Sequence, residues 1–438
     1  MPIRRRLRAV PALAWMVLIA VVLRVAVIPF DTIENLMDAN HIHAWEQGNV
    51  ARSLLAGHGF GSPFLSAQPS AIMPPIYPLI VAAFFYLFGI HTAHAIFAIH
   101  AFDCVINALA CIPIFFIARR MFGSRVAMGA AWAWVFFPYG IYFAAAWAWS
   151  THLLLLGLCV LLCLAPKIEE TSSVPLWALF GTVAGLTALA EPSVLVVVAF
   201  LLTLAAYRLA RGRMRWLQPG AVASLALLAT LSPWLIRDAL VFHRFIPMRD
   251  SIGLELWMGN NGYSERFTSD QLHPLHDTAE LAAYNVSEVS YMAQKKAQAE
   301  AYIGAHPRWF VWMSMRRAIY LWTGYWSFDK AYLEMEPTDP ENVPFATAIT
   351  LLAAFGLFRL WRHRPSEAFR LGGVLFLFPV IYYFTHPEPY HLRPLDPLLV
   401  MCGCHSILRL RERVSRKQPM AHPRVSLAAQ EPIGSESY

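Results

Sequence analysis

The sequence predicts an all-α polytopic membrane protein with about ten transmembrane helices. Of its 438 residues, 57% are hydrophobic and 14% are charged. Several apolar runs approach the length of about 20 residues that a helix needs to cross a bilayer, which a soluble core does not require. Arginines gather in short clusters beside these runs, a pattern that is typical of membrane orientation signals. The composition therefore excludes a soluble enzyme.

The first apolar run covers residues 11–30 and follows four arginines within residues 1–10. It is long for a signal peptide and no small-x-small cleavage site follows, so a retained span is expected. The other predicted spans cover residues 92–118, 126–147, 150–165, 176–190, 192–207, 219–237, 344–361, 370–385 and 392–408. Two further runs, 75–90 and 309–326, fit either a span or an interfacial helix on the outer side.

The arginine clusters predict the orientation of these spans. If both ambiguous runs are outer-side juxtamembrane helices, every cluster falls in the cytoplasm, which gives ten spans with both termini inside. Three polar segments, 31–91, 238–343 and 386–393, then share the outer face. Because no internal repeat or soluble domain is visible, residues 1–408 are predicted to form one transmembrane domain, followed by a disordered basic cytoplasmic tail at 409–438. A bacterial inner membrane is the expected location.

Several classes of site are not indicated. The formal net charge of +7 would favour nucleic acid in a soluble protein, but these arginines flank spans, so no nucleic-acid partner is expected. The six cysteines all lie in apolar runs and predict no disulfide framework. Cys402, Cys404 and His405 lack a partner pair, so no metal site is predicted there. No phosphate-binding loop, dinucleotide fingerprint or metalloprotease motif occurs, and no cofactor is certain.

One polar, glycine-punctuated stretch follows the first apolar run. It contains AWEQGNVARSLLAGHGFGSPF at 44–64 and PPIYPLIVAAFFYLFG at 74–89. This order of an acidic residue, a helical ARSLLAGHGF, clustered prolines and a closing LFG resembles the first outer loop of the GT-C membrane glycosyltransferases. Protein O-mannosyltransferases and lipid A aminoarabinose transferases belong to that superfamily, close to glycosyltransferase family 39. His43 and Ala44 stand where many members carry an Asp or an Asp-Glu pair.

The resemblance implies both a fold and an activity. The expected fold is a GT-C-like helical bundle within the membrane. The expected activity is transfer of a sugar, with inversion, from a polyprenyl-phosphate donor to a lipid, glycan or protein acceptor at the outer face. Membrane lipids are further expected partners. A divalent cation stays possible, although arginine alone is able to hold a monophosphate donor.

Two carboxylates of the first loop are candidates for the catalytic base. Glu46 is preferred because it lies directly before the predicted helix at 48–56, and Asp38 is the second candidate. A carboxylate at this position would equally favour the start of the helix by its charge alone. The sequence therefore predicts a first-loop base and leaves its identity open between the two.

Four side chains are candidates for binding the donor phosphate. Arg237, in SPWLIRDALVFHRF, resembles the family's Pro-Trp-x-x-Arg junction, and Arg393, in HPEPYHLRPLDP, resembles its Tyr-x-x-Arg element before the last span. His391 supplies a further donor beside Arg393. Arg316 lies in a run where an arginine pair is expensive at the bilayer centre, which favours an interfacial position. Each arginine would also serve as a simple interfacial anchor.

A secondary transporter or lipid flippase is the alternative hypothesis. In that class, intramembrane charges such as Arg24, Asp103 and Glu191 would form the transport pathway. Transporters commonly contain internal repeats and broken central helices. The absence of a repeat and the gathering of polar residues on one side favour the transferase. Aromatic residues around Pro138, among them Trp147 and Trp149, are most simply an interfacial belt, although their faces also suit a sugar ring or an isoprenoid chain.

Overall fold

The computed structural model describes residues 2–28, 45–64, 68–263, 272–324, 330 and 339–417. Within these ranges the chain is helical and contains no strand beyond an isolated bridge between Gly61 and Pro69. The all-α fold class predicted from the sequence is confirmed. Asp38, His43 and Ala44 lie outside the described residues.

The helices of the first half begin with the first apolar run and the loop after it. They are α1 (Pro2–Val25), α2 (Glu46–Leu55), α3 (Ile76–Phe88), α4 (Ala93–Leu109), α5 (Cys111–Phe122), α6 (Ser124–Val135), α7 (Pro138–Ala146), α8 (Thr151–Ile168), α9 (Val174–Ala190) and α10 (Leu195–Arg211). A short 3-10 helix, Pro192–Val194, leads into α10.

The helices of the second half include four from the long segment that follows the seventh predicted span. They are α11 (Leu217–Phe242), α12 (Ile252–Gly259), α13 (Thr278–Val286), α14 (Glu288–Ala305), α15 (Pro307–Thr323), α16 (Asp339–His363), α17 (Pro365–Leu377), α18 (Val380–Phe384) and α19 (Asp396–Lys417). A 3-10 helix at Pro389–Leu395, called here the 389–395 turn, precedes α19.

All ten runs predicted to span the membrane coincide with helices. Within the described ranges, six helices are long and apolar enough to cross a bilayer, and the bent pair α6–α7 makes a seventh if it counts as one span. Pro11–Val25 and Val174–Ala190 are shorter apolar helices, and α19 is apolar only in its first half. The chain is a multi-pass membrane protein, and the count of ten remains a prediction.

The two ambiguous runs form helices of moderate length. α3 has 13 residues and α15 has 17, so at about 1.5 Å per residue neither reaches the hydrocarbon thickness of about 30 Å. The predicted tail does not begin at 409, because α19 continues without a break to Lys417. Residues 418–438 lie outside the described residues.

Close helix packing shapes the interior of the bundle. α9 and α11 approach each other so closely that a Cβ on Gly181 would lie 2.1 Å from the carbonyl oxygen of Ala223. Backbone atoms cannot yield as a flexible side chain does, so this position requires glycine. The contact holds Trp234 and Asp238, near the end of α11, in a fixed place relative to α9.

Arg24 joins three helices inside the bundle. Its side chain is fully buried, and its Nε donates to Asn107 Oδ1 at 2.9 Å. The terminal N–H groups donate to the carbonyls of Ala20, Trp134 and Val135 at 3.0–3.3 Å. Arg24 therefore joins helices and does not face lipid, because its hydrogen bonds all go to protein groups of α1, α4 and α6.

The loop after α1 is fastened to the long segment that follows α11. Glu288, which is 3% exposed, accepts hydrogen bonds from the Ala71 N–H at 2.8 Å and from the Tyr284 hydroxyl at 2.6 Å. The Asp250 N–H donates to the Ala71 carbonyl at 3.0 Å. These bonds bring the two polar segments predicted to share one face into a single structure.

Candidate active site

Glu46 occupies the first position of α2. Its charge is favourable at a helix start, which explains in part why α2 begins here. The preceding Trp45 donates its indole N–H to the Ala148 carbonyl at 3.1 Å, which ties this helix start to the segment between α7 and α8. The Glu46 side chain is 15% exposed. The carboxylate is therefore held in place and still reachable.

Burial and neighbouring charge raise the pKa of Glu46. Burial is the larger cause, the charge of Glu255 adds to it and Arg249 opposes it, and together they raise the pKa to about 8. His273 Nε2 lies 3.6 Å from Glu46 Oε1. Burial and the neighbouring His276 and His386 lower the pKa of His273 to about 3, so this contact joins a neutral imidazole to the carboxyl and is not an ion pair. A carboxyl with a pKa near neutrality is suited to accept a proton.

Arg249 stands among three carboxylates. Its terminal nitrogens lie 3.5 Å from Glu191 Oε1 and 3.7 Å from Glu255 Oε1, and its charge also acts on Glu46. The Nε of Arg249 is buried without a hydrogen-bond partner among the described residues. Glu46, Glu191, Arg249 and Glu255 are called here the Glu46 cluster. Its distances are longer than those of tight ion pairs, so Arg249 is more loosely paired than a closed salt bridge would be.

The 389–395 turn lies against the same charges. The Glu388 N–H donates to His391 Nδ1 at 2.8 Å, so the neutral ring carries its proton on Nε2. The His391 ring stacks on Tyr382 at 4.0 Å. Burial, His386 and Arg249 hold the pKa of His391 well below its usual value, and the imidazole is a neutral donor.

Arg393 lies at the end of this turn beside a small cavity. Its guanidinium lies 4.3 Å from the Tyr139 ring centre, 5.8 Å from that of Phe143 and 3.5 Å from Asp396 Oδ2. Its Nε is buried without a hydrogen-bond partner among the described residues. The cavity has a volume of about 60 Å³. It is lined by Tyr139, Phe143, Tyr320, Leu321, Gly324, Asn342, Ala346 and Arg393.

Arg237 is engaged in holding the first loop. It donates to the carbonyls of Ser70 at 2.8 Å and Phe60 at 3.0 Å, and to Asp238 Oδ1 at 2.7 Å. Its guanidinium also lies 4.9 Å from the Trp234 ring centre. These contacts use both terminal nitrogens, so the residue is placed to fix the loop that carries Glu46.

Arg316 and its neighbour occupy different environments on α15. Arg316 is half-buried, whereas Arg317 is 1% exposed and donates to Asn260 Oδ1 at 3.2 Å and to the carbonyls of Gly259 and Tyr383. Arg317 therefore ties α15 to the ends of α12 and α18. One arginine of the pair is therefore partly exposed and the other holds the fold together. Their adjacent positions in the sequence do not reveal this difference.

The sequence matches no protein-family model and no curated protein. The structure is similar to that of the apo oligosaccharyltransferase of Archaeoglobus fulgidus, with a TM-score of 0.51, 9% identity and coverage of 92% of this chain and 51% of that one. The two chains share a fold over these residues. It spans about half the length of that oligosaccharyltransferase. It is also similar to ArnT from Cupriavidus metallidurans bound to undecaprenyl phosphate, with a TM-score of 0.38, 14% identity and coverage of 95% and 82%.

The candidates from the sequence fall into two groups in the folded chain. Glu46 and His391 both lie within the electrostatic influence of Arg249, and Arg393 lines the neighbouring cavity. Arg237 and Arg316 lie in other surroundings, as described above. Arg249 was missed, because no motif surrounds it in RFIPMRD and only the folded chain brings it to Glu46. In the described ranges, no three His, Cys, Asp or Glu side chains are arranged to hold a metal ion.

Proposed function

We propose that this protein is an integral membrane glycosyltransferase that moves a sugar from a polyprenyl-phosphate donor to a lipid, glycan or protein acceptor at the outer face of the membrane. The observation that carries the proposal is the position of Glu46. In a GT-C fold, this carboxylate begins a helix of the first loop beside Arg249, partly exposed and with a pKa raised to about 8. The shared fold supports the class of chemistry, and the position of Glu46 supports its role in the proton transfer.

Glu46 acts as the general base in this proposal. The acceptor hydroxyl attacks the anomeric carbon of the sugar and transfers its proton to the Glu46 carboxylate. The bond between the anomeric carbon and the phosphate oxygen breaks, and the polyprenyl phosphate leaves with the electron pair. Asp38 is kept as the alternative base, and the two are separated by mutation below.

Arg393 is proposed to hold the donor phosphate, assisted by the Nε2–H of His391. The support for Arg393 is its unpartnered Nε and its position on an aromatic-lined cavity. A planar guanidinium binds phosphate oxygens in pairs, and positive charge stabilises the leaving group. Arg249 is proposed as a second cation near the reacting centre. Arg237 is proposed to position the first loop, and Arg316 to meet lipid headgroups.

The intramembrane charges support the transferase over the transporter hypothesis. Arg24 is hydrogen-bonded to four protein groups, and Asp103 accepts from the Tyr77 hydroxyl at 2.6 Å. Such residues join helices together. Glu191 lies in the Glu46 cluster at the end of α9. The contacts of Arg24, Asp103 and Glu191 do not form a transport path through the centre of the bundle.

The test is a transfer assay with the purified full chain in lipid nanodiscs. A panel of undecaprenyl-phosphate sugars is offered with lipid, glycan and peptide acceptors, and release of undecaprenyl phosphate is measured. We expect release with at least one sugar, and its loss in Glu46→Gln. Proteoliposomes made from the same preparation measure sugar-lipid translocation in parallel. Translocation without release from any donor would refute the transferase and favour the transporter.

We also propose that both termini are cytoplasmic and that the loop after α1 is outside. His58 and Gly212 lie in exposed turns after α2 and α10. A cysteine introduced at 58 should react with an impermeant thiol reagent in intact cells, and one at 212 should react only after lysis. The opposite pattern would invert the orientation.

A further inference from the structure

Two tryptophans from one segment meet a tyrosine from a distant turn of the chain. The ring centres of Trp147 and Tyr390 are 5.3 Å apart, those of Trp149 and Tyr390 are 6.0 Å apart, and those of the two tryptophans are 6.3 Å apart. Their planes are tilted by 30° to 50°. These residues are called here the aromatic triad. Trp147 is 40% exposed, so the triad is not closed off as a core cluster would be.

The segment that carries both tryptophans is pinned at two successive carbonyls. His152 Nε2 donates to the Trp147 carbonyl at 3.3 Å, and its Nδ1 accepts from Asn107 at 3.3 Å, which fixes the tautomer. The Ala148 carbonyl accepts the Trp45 indole N–H at 3.1 Å. Because Trp45 directly precedes Glu46, the same bond holds the triad and the proposed base in a fixed relation.

An interfacial tryptophan elsewhere in the chain has different surroundings. Trp132, which is 37% exposed, stacks on Phe136 four residues further along the same helical stretch. Its contact is local, as expected for a belt residue on a helix surface. Trp147 and Trp149 instead contact Tyr390 from the 389–395 turn, which also contributes His391 and Arg393. The triad thus lies next to the candidate site. A tryptophan that only anchors the chain in the membrane interface needs no such contacts with a distant turn.

We propose that the aromatic triad is a stacking platform for a sugar ring, held beside Glu46; this inference rests on the proposed function. A sugar ring presents a face of C–H groups that packs on aromatic rings, while its hydroxyls need hydrogen-bond acceptors at the edge. The carboxylates of Glu46, Glu255 and Glu388 act electrostatically on Tyr390 and are able to accept from those hydroxyls. The ring belongs either to the donor or to a glycan acceptor, and the experiment separates the two.

The test compares Trp147→Leu and Trp149→Leu with Trp147→Phe, in full-length protein in nanodiscs. Loss of the ring should raise the KM for one sugar-bearing substrate about tenfold, and Phe should restore most of the affinity because it keeps a flat face. The affinity for undecaprenyl phosphate without a sugar should stay within about twofold. A selective rise in the donor KM assigns the platform to the transferred sugar, and a selective rise in the acceptor KM assigns it to the acceptor.

Trp132→Leu is the matched control, because it removes an equally exposed tryptophan from an aromatic pair. Unchanged KM values in both triad variants, or an equal loss in Trp132→Leu, would overturn the proposal. If the wild-type protein transfers no sugar, the proposed function fails by itself. The platform is then judged by quenching of tryptophan fluorescence with methyl glycosides. Quenching lost in the triad variants and kept in Trp132→Leu supports it, and identical quenching overturns it.

Discussion

Two networks of charged side chains lie at opposite ends of α9 and α10, and they are built differently. Before α9, Arg370 donates its Nε to Glu169 Oε1 at 2.7 Å and a second N–H to Oε2 at 2.5 Å. Arg208, near the end of α10, donates to the same carboxylate. At the other end, Arg249 lies 3.5 Å from Glu191 and 3.7 Å from Glu255. One network is closed around a carboxylate, and the other is open.

Exposure separates the two networks further. The side chains of Arg370 and Glu169 are 1% and 2% exposed, whereas those of Arg249, Glu191 and Glu255 are 25%, 15% and 35% exposed. A closed network that excludes water resists change, because a buried charge that loses a partner is poorly compensated. An open cluster is able to exchange a partner for a ligand. The same residue types therefore form a closed structural network at one end and, in our proposal, a ligand-binding one at the other.

The largest expected effect comes from removing the proposed base of the open network. Glu46→Gln keeps the shape of the side chain and removes the proton-accepting charge, so sugar transfer should fall by about 10² to 10⁴. The unfolding midpoint should change little, because an uncharged amide suits this partly buried position. The loss of activity is measured as the initial rate of undecaprenyl phosphate release at saturating donor.

Two further variants locate the base. Glu46→Asp should keep part of the activity if the shorter side chain still reaches the acceptor hydroxyl. Asp38→Asn removes a carboxylate eight residues earlier and should remain active. If Asp38→Asn abolishes transfer while Glu46→Gln stays active, the base is Asp38.

The second largest effect is a loss of stability, which follows from breaking the closed network. Glu169→Gln removes the carboxylate that accepts two N–H groups of the buried Arg370 and leaves only Glu367 beside it, which should lower the free energy of unfolding by about 3 kcal/mol. Glu191→Gln, in the open network, should lower it much less, since water reaches its partner. Denaturant unfolding in detergent micelles measures both. The control is Arg125→Gln, which breaks a pair with Glu412 whose arginine is 78% exposed. Equal losses in the Glu169 and Glu191 variants would remove the distinction between the networks.

The sequence predicts the helices well, because lipid leaves few alternatives. A run of about 20 apolar residues must satisfy its backbone internally, so α4 with α5, α8 and α16 are visible in composition alone. Glu46 is a candidate because the stretch around it resembles a family motif. Both inferences depend on local information, either the hydropathy of a segment or the order of residues within one loop.

The features that were missed depend on tertiary contacts. Arg249 has no motif, and its partners come from the end of α9, from α12 and from the start of α2. Asp103 accepts from Tyr77 on α3, a partner that its own helix does not reveal. Nothing in the helix of Arg24 shows that Asn107 and Trp134 surround it. The position and environment of each of these side chains depend on partners from other helices and loops.

The third effect separates arginines that meet a ligand from those that hold the fold. Arg393→Lys and Arg249→Lys keep the charge but lose the planar fork, so each should cost about 1.5 to 3 kcal/mol of transition-state stabilisation, or roughly 10- to 160-fold in turnover. Arg370→Lys should instead lower the unfolding midpoint, with turnover of the folded fraction unchanged. Arg308→Lys, on the exposed start of α15, is the control. Normal turnover in both site variants would reduce Arg393 and Arg249 to structural residues.

The smallest effect is the pH dependence of transfer, which depends on the open network alone. Burial and Glu255 raise the pKa of Glu46 to about 8, and a base works only when deprotonated. The rate should therefore rise about tenfold between pH 7 and pH 9 and then level off. His391 does not oppose this rise, because its pKa is held well below the range and it stays neutral throughout. Glu255→Gln removes the charge that helps to raise the pKa, so its profile should shift to lower pH. The residual activity of Glu46→Gln should be flat over the same range, and a slope that survives in this variant would assign the titration to another group.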